Sequence, residues 1–186
     1  MTASRPVTPR LVAALPAVAA AAPGEWAAAM TAAGVDGLAV MAHPNDPLAH
    51  AVLTALRNAS SLPLELHVPA GGTLPAPEQA PTALDVVVPV IAPEPPVAEA
   101  WAAAGVGLAW PLAGPLPSGP ERVHAAAPPA ETVWSAVPVT AERSVSVATA
   151  TAADALPAAD TLVLAGTLLG GDDPGAAVAR WRGVWA

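Results

Sequence analysis

The sequence predicts an α/β fold with a parallel sheet, and three observations carry that expectation. Short apolar runs recur along the chain, each about as long as a buried strand. Ala-rich stretches with Pro at or near their first position stand between several of these runs, as crossover helices would. The runs number eight, which suits a parallel sheet closed as a (β/α)8 barrel of the TIM type or left open and doubly wound. At 186 residues the chain is shorter than the ~250 typical of that barrel. A single domain over residues 1–186 is therefore expected as a compact, modified barrel, with Pro/Gly-rich loops in place of some helices.

Strands are expected near Leu11–Leu15, Leu38–Met41, Leu64–Val68, Val86–Ile91, Val106–Trp110, Thr132–Val137, Val145–Ala148 and Leu162–Ala165. Helices fit Gly24–Ala33, Pro47–Ala59, Pro96–Ala104, Ala152–Leu156 and Pro174–Trp181. Two Pro- and Gly-rich segments, one before the fourth strand and one after the fifth, read as loops. The apolar run Leu11–Ala22 follows Arg5 and Arg10 as a secretory leader might be built, but Pro16 interrupts it, and it reads as a strand followed by a helix.

Composition removes several function classes. The net charge is −8, with seven Arg and no Lys, so neither a nucleic-acid groove nor an anionic membrane surface is expected, because both need clustered basic residues. No stretch reaches the ~20 apolar residues of a membrane span, and a cytoplasmic protein is the default expectation. The absence of Cys removes disulfides and thiol nucleophiles. Without Lys there is no Schiff base, and no Gly-x-Ser-x-Gly elbow or dinucleotide fingerprint is present. The 24 Pro and the excess of Ala and Val are read as genome composition rather than function.

The polar residues that could carry chemistry cluster at two places. In the strand LELHV, side chains alternate, so Leu64, Leu66 and Val68 would face the helices and send Glu65 and His67 into the lumen. The loop after the second strand carries His43, Asn45 and Asp46. Two histidines and two carboxylates near one strand end could hold a divalent metal through Asp46 and Glu65, or work as general acid and base. The plainer alternative makes Asp46 the N-cap of a helix beginning at Pro47 and leaves Glu65 and His67 solvated on an edge strand.

Other candidates are weaker. Gly166, Gly170 and Gly171, in the segment GTLLGGDDPG, offer backbone amides of the kind that bind phosphate after the last barrel strand, and Asp172 and Asp173 could hold Mg²⁺ there. A simple helix cap explains the same residues. Trp110 and Trp134, each expected in a strand, could line a cavity and stabilise a carbocation. Trp181 and Trp185 could belong to a homodimer interface. His50 reads as a surface residue of its helix, and His124 sits in a Pro-rich stretch without an evident role.

Taken in order, the strands resemble the geranylgeranylglyceryl and heptaprenylglyceryl phosphate synthases, a family that includes the prenyltransferase of moenomycin biosynthesis. The resemblance is carried by Gly34–His43 at the second strand, Leu62-Pro63 before the third, Asp85 with Val88-Pro89 at the fourth, Gly105-Val106 with Trp110-Pro111 at the fifth, and Ala159–Thr161 at the eighth. It implies an α/β barrel that transfers a prenyl group from a Mg²⁺-bound isoprenoid diphosphate to a phosphorylated acceptor. The chain departs from that pattern where the chemistry lies. Ala13-Ala14-Leu15-Pro16 replaces the segment whose Asp holds Mg²⁺, and Met41-Ala42-His43 and Ala148-Thr149-Ala150 replace Gly-rich phosphate segments.

The resemblance thus implies a prenyltransferase of secondary metabolism, with His43 or His67 moving a proton and Asp46 and Glu65 holding the Mg²⁺ diphosphate. Three alternatives stay open: a terpene cyclase on the same scaffold with no phosphorylated acceptor, a degenerate barrel that binds an apolar ligand or serves as a scaffold, and a metal-dependent lyase or hydrolase.

Overall fold

The computed structural model describes residues 10–16, 20–80, 83–148, 159–169 and 173–183. Eight parallel strands close in sequence order into a barrel: β1 Arg10–Ala14, β2 Gly37–Met41, β3 Leu64–Val68, β4 Val86–Pro89, β5 Gly107–Pro111, β6 Arg122–Ala125, β7 Glu142–Val147 and β8 Thr161–Leu164. Pairing of Leu11 with Leu162 and of Val12 with Val163 joins the last strand to the first.

Among the described residues, four helices of nine or more residues pack outside the barrel: α1 Pro23–Ala32, α2 Pro47–Ala59, α3 Pro95–Ala103 and α6 Pro174–Gly183. Two single turns, α4 Glu131–Trp134 and α5 Gly166–Leu169, are described as well. Each of the four long helices has Pro in its first turn, where the missing N–H costs no hydrogen bond. Asp46 caps α2 by accepting from the Leu48 amide at 2.9 Å.

Where helices are missing, side chains do their work. Among the described residues between β3 and β4 there is a short 3-10 turn at Pro77–Gln79 and no longer helix, and the indole of Trp101, on α3, ties that loop down by donating to the Pro75 carbonyl at 2.9 Å. A chain of ten residues, Leu112–Glu121, leads from β5 to β6 with no helix.

Alternation along the strands divides the interior into two cores. Leu11, Leu38, Leu64, Leu66, Val123, Val145 and Leu162 point outward and join Trp26, Met30, Leu53 and Leu56 of the helices in the larger core. Val12, Ala39 and Val163 point inward and form a second, small cluster inside the lumen. Apolar surface removed from water contributes about 25 cal/mol per Å², and most of the buried apolar side chains belong to the outer core.

Seven expected strands lie where the sequence places them, within a few residues. The expectation at Thr132–Val137 fails: that segment begins with the single turn α4, and the sixth strand is Arg122–Ala125. β-branched residues made the first segment look extended, while Arg122 and His124 hid the apolar pattern of the second. β7 also begins earlier than expected, at Glu142, because its inward side chains are polar. The helix expected at Ala152–Leu156 lies outside the described residues. No helix among the described residues is long and apolar enough to cross a membrane.

Candidate functional site

Polar residues facing the lumen come mainly from three strands, with Thr161 of β8 added at the base. β3 supplies Glu65 and His67, β6 supplies Arg122 and His124, and β7 supplies Ser144 and Ser146. The register sets His124 beside Ser144 and Arg122 beside Glu142. In each strand the two residues are separated by one, so both members of each pair face inward.

Arg122 reaches across the lumen to Glu65. Its guanidinium meets the carboxylate with both ends, Nη1 to Oε1 at 2.7 Å and Nη2 to Oε2 at 3.2 Å, and both residues are buried. Nη2 also donates to Ser144 Oγ at 2.8 Å. Arg122 Nε lies 3.4 Å from Glu142 Oε1, close enough for charge attraction but not aligned for a hydrogen bond. Glu142 is held in turn by the Thr161 hydroxyl at 2.5 Å. An ion pair taken out of water this far needs its remaining lone pairs and protons satisfied; here both carboxylate oxygens and both terminal guanidinium nitrogens are hydrogen-bonded, and Nε has the charge of Glu142 beside it.

Above the strut stand two histidines, their rings edge to face with centroids 5.1 Å apart. His67 Nε2 lies 3.1 Å from Glu65 Oε2. Glu65 is held ionised: burial by itself would raise its carboxyl, but the hydrogen bond from His67 and the positive charge of Arg122 together outweigh burial and lower it to about 2. A carboxylate there can only accept, so Nε2 carries a proton, and in the uncharged form of the ring Nδ1 is an acceptor. Among the described residues nothing donates to that Nδ1.

His124 is engaged at both nitrogens, with Nδ1 3.0 Å from Ser144 Oγ and Nε2 3.2 Å from Ser146 Oγ. Burial holds it well below the usual histidine range, and the nearby His67 and Arg122 push the same way. His124 is therefore neutral at neutral pH.

A cavity of about 510 Å³ opens above this layer, at the carboxyl ends of the strands. Among the described residues, His67, His124 and Ser146 are the polar side chains on its wall, and the others are apolar: Ala14 and Ala39 of the lumen, Val88 and Pro89 of β4, Pro111 and Leu112 after β5, and Val163 of β8 among them. Both its volume and its lining are those of a small-molecule site. Its place is where barrel enzymes carry their chemistry.

The structure brings together only part of the predicted constellation. Glu65 and His67 point into the lumen as expected. His43, Asn45 and Asp46 do not join them: none lines the cavity. The His43 ring lies against the loop after β3, where a Cβ on Gly72 would come within 2.8 Å of its Nδ1, and Asp46 is the helix cap. His50 is tied to the Pro44 carbonyl at 3.0 Å.

The expected Mg²⁺ site of Asp46 and Glu65 does not fit these residues. One carboxylate caps α2 and the other has both oxygens taken by Arg122, and no group of three or more His, Asp or Glu suited to a metal occurs among the described residues. Trp134 is on α4, not a strand, and is buried in the outer core under the Arg143 guanidinium, 6.0 Å away. Trp110 faces outward beside Pro117 and Gly119. Neither tryptophan lines the cavity.

Gly166 begins the single turn α5, and Gly170, Gly171 and Asp172 lie outside the described residues, as does Trp185. Asp173 accepts from the Ala176 amide at 2.9 Å and so caps α6. Trp181 is buried within the chain.

Arg122, His124, Ser144 and Ser146 were missed from the sequence. Their signal is the repeated polar pair at spacing two: E-L-H in β3, R-V-H in β6 and S-V-S in β7. Each reads as a strand with a polar inward face.

No protein-family profile and no curated protein matches the chain. Solved structures do resemble it. Orotidine 5'-phosphate decarboxylase from Pyrococcus horikoshii OT3 superposes with a TM-score of 0.67 at 12% identity, over 94% of this chain and 98% of that one. KGPDC from Streptococcus mutans gives 0.65 at 16% identity, over 96% and 97%. Tryptophan synthase subunit alpha from Legionella pneumophila str. Paris gives 0.63 at 12%, over 95% and 92%. At such identities the likeness is one of fold, and the fold is a compact TIM barrel.

Proposed function

We propose that this barrel is an enzyme that moves a proton on a small, largely apolar molecule, with His67 as the general base. One observation carries the reading: a carboxylate–histidine pair, Glu65 and His67, stands at the floor of an apolar cavity at the carboxyl ends of the strands. Glu65 fixes the ring and its tautomer and would stabilise the imidazolium formed when Nδ1 takes a proton, as orienting carboxylates do elsewhere. The dry walls strengthen that interaction.

The Ala, Val and Pro walls suit an isoprenoid body, and to that extent support the prenyl-substrate expectation. Among the described residues nothing comparable supports its diphosphate or Mg²⁺. Arg122, the cation of the lumen, is spent on Glu65, and Asp46 on a helix cap. A Mg²⁺-dependent prenyltransferase or cyclase therefore ranks below proton transfer on an uncharged isoprenoid.

The test is incubation in D₂O with prenyl diphosphates and with isoprenoid ketones and alcohols, with and without Mg²⁺, followed by mass analysis. Deuterium uptake or isomerisation of an uncharged compound, independent of Mg²⁺ and reduced about 10²–10⁴-fold in His67→Ala, is the expected result. Consumption of prenyl diphosphates alone, and only with Mg²⁺, would return the site to the prenyltransferase reading. Turnover unchanged in His67→Ala removes the proposed base.

A further inference from the structure

The proton positions in the polar layer can be assigned by following donors to acceptors. Arg122 Nη2 can only donate, so Ser144 Oγ accepts from it. Ser144 is fully buried, so its own proton needs a partner as well, and the partner left for it is His124 Nδ1. Neutral His124 carries its proton on Nε2 and donates it to Ser146 Oγ. Ser146, with its oxygen already accepting, has its own proton left over, and no described residue takes it. Ser146 lines the cavity. The chain of bonds that starts at a buried cation thus ends in a polarised hydroxyl on the wall of the cavity that His67 also lines.

Charge around the mouth points the same way. Six of the seven arginines lie among the described residues, and none is at the carboxyl ends of the strands. Arg10, Arg122 and Arg143 lie at or beside the first residue of β1, β6 and β7, Arg57 lies in the last turn of α2, and Arg180 and Arg182 in the last turn of α6. At the opposite end, Asp46, Glu94 and Asp173 stand at the starts of α2, α3 and α6. Met41, Val90 and Val133 are exposed and line the cavity entrance. An anion arriving there meets carboxylates and apolar side chains and no described guanidinium.

We infer that the ligand of this cavity is an uncharged apolar carbonyl compound, an aldehyde or ketone, whose oxygen accepts the Ser146 hydroxyl proton, and that phosphate esters are not its substrates. The inference rests on the proposed reading of the cavity as the substrate site and names the substrate class. It also completes the chemistry. His67 Nδ1 takes a proton from the carbon next to the carbonyl, the C–H electron pair moves into the new C=C bond, and the oxygen gains negative charge against the Ser146 hydroxyl. Return of the proton to the same carbon, as exchange, or to the γ carbon where a further C=C bond is conjugated with the enolate, as isomerisation, regenerates the base. No oxidant, reductant or metal enters this balance.

The test is displacement of the neutral fluorophore N-phenyl-1-naphthylamine from the whole chain by three ligands of similar length: geranylacetone, the corresponding hydrocarbon and geranyl phosphate. Geranylacetone is expected to bind at least about ten-fold more tightly than geranyl phosphate. Ser146→Ala is expected to weaken the ketone about five-fold, the worth of one neutral hydrogen bond, while leaving the hydrocarbon unchanged. Ser146→Thr, which keeps the hydroxyl, should restore ketone binding.

Tighter binding of geranyl phosphate than of the ketone, equal effects of Ser146→Ala on ketone and hydrocarbon, or failure of all three ligands would overturn the inference. Ketone binding with this pattern but without deuterium exchange would leave the inference standing and remove the proposed reaction.

Discussion

Strands β8, β1 and β2 line their side of the barrel with Val163, Val12 and Ala39, whereas β3, β6 and β7 line theirs with Glu65, Arg122 and Ser144. Above Thr161, at the start of β8, the first half is small and apolar, and it gives the lumen its room. The second half is polar, and it fills the lower lumen with an ion pair while leaving His67 and Ser146 at the edge of the upper one. Either half alone makes an ordinary filled barrel. Set opposite each other, they make a floor with open space above it.

The largest test of this comparison is the strut. Removing one partner strands a buried charge, so Glu65→Leu or Arg122→Met alone is expected to cost about 3–5 kcal/mol, while the double variant should recover most of it. Urea denaturation measures both. Single variants that cost less than ~1 kcal/mol would mean that the polar half is hydrated and that the two halves are not so different.

Acid should separate the halves next. Glu65 is held at about 2 against an ordinary 4.5, so its ionised form stabilises the fold above pH 4.5. That contribution, about 3 kcal/mol for a shift of this size, is lost as pH falls from 4.5 toward 2. His124, held below its ordinary 6.5, is neutral in the fold and protonates more readily when unfolded. Its contribution is present above pH 6.5 and fades below it. Denaturation midpoints from about pH 8 to about pH 3 should fall in two phases, and His124→Asn should remove the first. A single phase below pH 4.5 in both proteins would take His124 out of the account.

The smallest expected effect on stability comes from the apolar half. Val163→Phe extends into the cavity, so stability should change by about 1 kcal/mol while binding of a neutral probe falls at least about ten-fold. Unchanged probe affinity would place the ligand elsewhere.

Much of the barrel was legible because its strands are short, apolar and separated by Pro-started helices. Leu64–Val68 and Pro47–Ala59 lie on their expected residues for that reason. β6 was not legible, because a strand whose inward face is Arg122 and His124 lacks the apolar run by which strands are recognised. The site suffered from the same cause. Glu65 and His67 could be placed from alternation within one strand, but their partners lie 57 residues away and meet them only across the closed lumen. Proximity in sequence misled in turn: His43, Asn45 and Asp46 follow a barrel strand, yet their loop folds outward over Gly72 and into a helix cap.

At the other end of the barrel, Asp36, Asp85 and Asp160 each sit one residue before an even-numbered strand, β2, β4 and β8, and each accepts an amide of the strand before it at 2.8 Å: Leu11 of β1, Leu64 of β3 and Arg143 of β7. The same place before β6 holds Glu121, whose backbone carbonyl instead accepts from Glu142 of β7. The base of the barrel is therefore stitched two strands at a time, with one pair stitched differently. Duplication or recombination of such a barrel would respect those stitches, and the piece that can be copied or exchanged whole is a strand pair with its aspartate rather than a single strand.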